Sequence, residues 1–274
     1  MKTKKILMRV FQNAIAWIVS LIVLIPLVVI FISSFKTAAE SYTLNLDLPK
    51  KLIFENYSVV VEKGKLLGSF FNSFVYASTS TLLIVFLATM AAFVLARNKS
   101  KMNRFIYYFL VLGIAMPVNY ISLMKVMQFT HLINTRIGII LIYAAFALPI
   151  SIFIAYGFID TIPRELDEAA IIDGCTPKSL YFKVIFPLLK PIIATLFVLN
   201  FMSTWNDFTM SIYFLNESSK WPMTLAVYNF FGQFSTQWNL VCADIVLTCI
   251  PVLIVFILGQ KYIVTGMTSG SVKE

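Results

Sequence analysis

Between Arg9 and Lys36 the chain carries 26 consecutive uncharged residues. A bilayer core about 30 Å thick takes about 20 apolar residues as a helix. No water serves backbone N–H and C=O groups there, so the run must close its own hydrogen bonds as a helix. It is longer than a secretory h-region and has no good cleavage site, so it reads as an uncleaved first span. A second uncharged run, 66–96, imposes the same constraint. Composition agrees: of 274 residues 59% are hydrophobic and 13% charged, against roughly 25% charged in a soluble domain. That is too little charge to cover a water-soluble globule, and too much apolar surface for a disordered chain.

Six spans are expected, at about 12–34, 70–95, 105–127, 138–159, 191–215 and 238–260. The fold class is therefore all-α: a polytopic membrane protein forming one transmembrane domain over 1–274. Pro117 and Pro149 fall inside spans, which neighbouring helices tolerate. The net charge is +9. Because the cations flank apolar runs, they set orientation and meet lipid headgroups, and nucleic acid is not an expected partner. Fourteen of the 22 Lys and Arg lie in 1–10, 97–104, 160–190 and from 261 onward. That bias places both termini in the cytoplasm of a multi-pass cell-membrane protein.

Catalytic and metal chemistry find no residues. Cys175, Cys242 and Cys249 form no C-x-x-C pair, and one histidine, His131, cannot complete a zinc set or a triad. No G-x-S-x-G is present. The Gly64-Lys65 pair is followed by Leu66 and lacks the upstream glycine of a P-loop, so any ATP must be handled by a partner.

The loop at 160–190 is long for such a protein and has helical grammar. Pro163 is expected in a first turn, ahead of Glu165, Asp167 and Glu168, acids suited to a helix N-terminus. Gly174 permits the backbone turn that ends this helix, and Thr176-Pro177 restarts one as N-cap and first residue. A second amphipathic stretch, 180–186, runs into Pro187 and Pro191. Two short hinged helices on the cytoplasmic face form a docking surface; on periodicity alone, an interfacial amphipathic segment stays open as the alternative.

The pattern Glu168-Ala169-Ala170, Asp173-Gly174, Ile185 and Pro187 resembles the EAA loop of binding-protein-dependent ABC importer permeases. Asn72-Ser73, Trp205-Asn206-Asp207-Phe208 and the ending from Gln260 to Gly270 are similar to the carbohydrate-uptake branch, specifically its maltose/oligosaccharide-type second permease. Cys175 departs from the small residue, such as Ala, expected there. The resemblance implies an ABC importer type I permease fold. It also implies a complex of two different permeases, two ATPase subunits and an extracytoplasmic sugar-binding protein. On this reading the EAA residues seat in the ATPase, and ATP and magnesium are used there, with no cofactor on this chain. In such relatives the C-terminal end, here 265–274, reaches the ATPase.

Within the spans, Trp205, Asn206 and Asp207 combine an aromatic face with polar groups, which suits a sugar pathway. Asn119 and Tyr120, with Ser122, follow Pro117 and could line a cavity at a broken helix. Packing is the competing role for both sets, and Asp244 is expected to be interfacial or a packing partner. An ion-coupled secondary transporter of a small polar solute is the alternative function.

Overall fold

The computed structural model describes residues 2–232 and 236–269. In chain order its helices are α1 (Lys2–Ser33), α2 (Ala38–Ser41), α3 (Glu55–Lys63), α4 (Leu66–Arg97), α5 (Lys101–Ala115), α6 (Tyr120–Phe129) and α7 (Arg136–Ile159). There follow α8 (Glu165–Ile172), α9 (Pro177–Ser179), a π-helical segment (Leu180–Ile185), α10 (Phe186–Leu188), α11 (Lys190–Trp205), α12 (Thr209–Phe214), α13 (Met223–Ala226) and α14 (Trp238–Ser269). Among the described residues there is no strand, only a bridge between Phe231 and Thr236. The all-α membrane fold is therefore present.

Four helices can cross a bilayer unaided: Met8–Ser33, Leu66–Arg97, Arg136–Ile159 and Trp238–Tyr262. Two bent pairs raise the number to six if each counts as one span. The expected single span at 105–127 is instead α5 and α6, bent by 117°. Pro117 is the cause. It forces Met116 into an extended conformation (ψ 123°), and Asn119 then caps α6 by accepting the amide of Ser122 at 3.0 Å. The fifth span starts as expected but α11 stops at Trp205, and 209–214 is a separate helix. Upstream, Pro187 lacks an N–H and its ring crowds the carbonyl four residues back, consistent with the widened π-helical turn before it. The chain then bends by 75° into α11. At the other end α14 stays helical through Ser269, within the tail 265–274 that the resemblance places at the ATPase. Of that tail, residues 270–274 lie outside the described residues.

The chain divides into two compact units, Met1–Leu67 with Ala226–Ile250, and Gly68–Leu225 with Pro251–Glu274. In the first, the membrane part of α1 buries nothing against this chain. Its end is pinned by Asn56, whose amide donates to the carbonyls of Ser34 (2.8 Å) and Lys36 (2.9 Å) and whose oxygen accepts from Asn239 at 2.9 Å. Lys36, buried, donates to the backbone and side-chain oxygens of Asn45.

The second unit holds the functional elements, and its helices meet at two ends. At one end Asn72 donates to the carbonyls of Ser219 and Trp221, and Tyr76 to that of Lys220. Lys220, then Asn134, hold the Glu217 carboxyl below the usual glutamate range. At the other end the basic stretch after α4 meets the loop after α7, so 97–104 and 160–167 share one end. The core there joins Ala92 and Ala96 of α4, Ala155 and Ile159 of α7, Ala170 of α8 and Ile192 and Leu196 of α11.

Candidate functional site

The loop at 160–190 folds as two helical pieces around one glycine. Asp167 and Glu168 lie in the first turn of α8, where acids complement the helix dipole. Pro163 precedes the helix, whose N-cap is Arg164, so the expected start is displaced by about one residue pair. Gly174 adopts φ +80°; its N–H donates to the Ile171 carbonyl (3.0 Å), and that of Cys175 to Ala170 (2.9 Å). This bond pair is a Schellman stop, which needs a left-handed residue at the glycine position. Cys175 and Ala170 also pack in one cluster, completing the apolar contact of that motif. Thr176 then caps the next helix through the Ser179 amide, with Pro177 in its first turn.

One face of this loop is bolted to the bundle. Arg97 Nη2 donates to Asp167 Oδ1 at 3.2 Å and Nη1 to the Ile162 carbonyl at 3.1 Å. Its Nε lies 2.6 Å from Oδ2 without aiming its proton there. Arg164 in turn donates to the Ala96 carbonyl in the last turn of α4 (3.2 Å), a cation at a helix C-terminus. Tyr181 and Thr89 share a hydrogen bond at 2.9 Å. Of the seven expected coupling residues, Ala170 and Ile185 are buried anchors; Glu168, Ala169, Asp173, Gly174 and Pro187 are exposed. Beside them Ile171 and Ile172, not singled out from the sequence, are 60% and 85% exposed. Both lie outside the candidate spans.

Between α7 and α11 lies a cavity of about 330 Å³, with Tyr143, Ser151, Asn200, Ser203, Thr204 and Asp207 as its polar groups. Tyr143 donates to Asp207 Oδ2 at 2.9 Å and lies 2.9 Å from Ser211 Oγ. The same carboxylate accepts the amides of Met210 (3.0 Å) and Ser211 (3.3 Å), so it also starts α12. Asn200 donates to Ser151 Oγ at 3.1 Å.

The expected pathway residues are not brought together. Asp207 lines the cavity, whereas Trp205 is 2% exposed and packs between Phe70 and Phe201. Asn206 is exposed and ends α11, Asn119 is the cap of α6, and Tyr120 stacks on Tyr213 at 4.9 Å. None of these four is among the residues lining the cavity. The residues missed, Asn200, Ser203 and Thr204, stand seven, four and three positions before Asp207. That is one face of a helix, and the spacing was present in the sequence. Asp244 is buried in the first unit, and its Oδ1 has no hydrogen-bond partner among the described residues.

The geometry is that of a helical membrane protein with a polar cavity between two spans and an exposed helix pair at one end. The chain belongs to the family of binding-protein-dependent transport system inner membrane components, matched over residues 84–269. It is 34% identical over 259 residues, 94% of each chain, to the probable starch degradation products transport system permease protein of Thermoanaerobacterium thermosulfurigenes. Over 252 residues, 91% of each chain, it is 32% identical to the melibiose/raffinose/stachyose import permease protein of Bacillus subtilis. The fold superposes on a bacterial ABC transporter that imports the polysaccharide alginate with a TM-score of 0.82, at 23% identity, covering 93% of this chain and 96% of the other. Family membership decides against the ion-coupled secondary transporter.

Proposed function

We propose that this chain is one of two different permease subunits of an ATP-driven importer for a sugar, in particular a di- or oligosaccharide delivered by an extracytoplasmic binding protein. The sugar class is supported by the substrates named for its relatives. Two ATPase subunits supply ATP hydrolysis and its magnesium, and this chain holds neither. The loop end faces the cytoplasm, as the bias of Lys and Arg toward it suggests.

The carrying observation is the helix pair 165–188, bound to the bundle by Ala170, Ile185 and the Arg97–Asp167 pair while Ile171 and Ile172 stay uncovered. A surface stiff on one side and apolar on the other can transmit a partner's movement without absorbing it. The cavity is at the small end of ligand sites, about 300–1,000 Å³, and its polar groups suit hydroxyl-rich solutes. Both roles are tested in the reconstituted complex. Ile172→Asp is expected to strip the ATPase subunits or abolish the ATP hydrolysis stimulated by loaded binding protein, with insertion unchanged. Full retention and stimulation in that variant would refute the docking role. A sugar panel taken up by cells with and without this gene identifies the substrate.

A further inference from the structure

We propose that a second cleft, between the end of α4 and the start of α5, binds the phosphate of an anionic phospholipid headgroup. The cleft measures about 300 Å³ and is lined by Leu95, Lys99, Arg104, Tyr107, Tyr108 and Tyr156. Two cations and three phenols surround one small space, and none of them is among the coupling or cavity residues described above. Their chemistry is that of an oxyanion receptor: a guanidinium offers a planar fork to phosphate oxygens, and phenols and ammonium donate the remaining bonds. Lys99 is held by Asp160 at 3.0 Å, and Arg104 makes no ion pair among the described residues. With Lys99, Arg104 and Asp160 counted together, one positive charge is left over, which matches a single phosphodiester. The walls are packed on one another: Tyr107 lies tilted against Tyr156 with centroids 4.2 Å apart and meets Tyr108 edge-on at 5.6 Å.

A lipid, and not free phosphate, is indicated by what adjoins the cleft. Met102, Phe105, Phe109 and Leu112 on α5 are 66%, 65%, 65% and 62% exposed, spaced as one helical stripe on the helix that carries Arg104, beside the face of Tyr108. In a membrane protein such a stripe faces acyl chains. The cleft therefore sits where the headgroup of the same molecule lies, with tyrosines at the level they favour in interfaces. The proposal rests on membrane location alone, so its failure leaves the importer assignment intact.

The test is native mass spectrometry of the intact complex, extracted from vesicles of phosphatidylglycerol and phosphatidylcholine mixed equally. Phosphatidylglycerol should remain bound in preference, about fivefold less so in Arg104→Gln and to an intermediate degree in Arg104→Lys, which keeps the charge but loses the fork. Lys50→Gln, an exposed cation outside the cleft, should change nothing. Equal retention of both lipids by the wild type overturns the proposal and needs no variant to assemble. So does unchanged retention in a well-assembled Arg104→Gln. Release of the lipid by inorganic phosphate would assign the cleft to the free anion and overturn the lipid.

Discussion

Gly174 is required for its backbone alone: a Cβ built there meets no atom within 4 Å, yet φ is +80°. A substituent therefore costs only the left-handed strain, roughly 1–2 kcal/mol, within this chain. The expected order of substrate-stimulated ATP hydrolysis in the reconstituted complex is Gly174, then Gly174→Asn, Gly174→Ala and lastly Gly174→Val. Asn tolerates this region, and a branched Cβ does not. Equal activity of the Val and Asn variants would remove the hinge argument. Asp207 tells a different story from the one its place in an apolar run suggests. With one oxygen accepting Tyr143 and two α12 amides, it holds structure as well as lining the cavity. Asp207→Ala should thus reduce the amount of assembled complex together with uptake, and Asp207→Asn should spare assembly in part. Assembly unaffected by the Ala change, measured by subunit copurification, would count against this.

At the scale of elements, the Arg97–Asp167 pair ties α8 to the last turn of α4. Both side chains are largely buried, 12% and 13% exposed, so screening is weak and a charge-assisted hydrogen bond is worth about 1.5–3 kcal/mol. Arg97→Ala and Asp167→Ala should each lower the thermal stability of the purified complex, and the double variant should cost less than their sum. Strict additivity would mean that the pair does not couple the two helices. Across the unit, α7 and α11 offer the cavity its two walls. Ser203 lines it while remaining exposed, so Ser203→Trp should block sugar uptake about tenfold or more with the complex intact, the volume of an indole being hard to place there. Normal transport kinetics in that variant would take the substrate route away from this cavity.

For the whole molecule, the side of the membrane each terminus takes follows from whether each bent pair is a span or a re-entrant loop, an even total placing both termini together. Cys175 is half-buried in the loop and Cys242 is buried. In a Cys249→Ser permease, an impermeant thiol reagent should label Cys175 in inside-out vesicles but not in intact cells. Labelling in intact cells would invert the orientation and separate the loop from any cytoplasmic ATPase.

Local rules made much of this protein readable without coordinates. Long uncharged runs can satisfy their backbone in lipid only as helices, and Gly174, Thr176 and Pro177 act through bonds spanning five residues or fewer, so the membrane fold and the hinge of the 160–190 loop were legible. The break after Pro117 was foreshadowed, but its angle of 117° was not, because a bend is set by what the two arms pack against. Hydrophobicity likewise could not tell which polar residues of a span meet. Trp205 and Asn206 adjoin Asp207 in the chain, yet neighbouring residues on a helix point about 100° apart. One turned into the core, one outward, and only Asp207 into the cavity with Tyr143 from another helix. The sequence by itself determined where backbone must be helical and where it must turn. Which side chains share a space was decided by tertiary structure, because that depends on rotations and crossings between helices that no local pattern encodes.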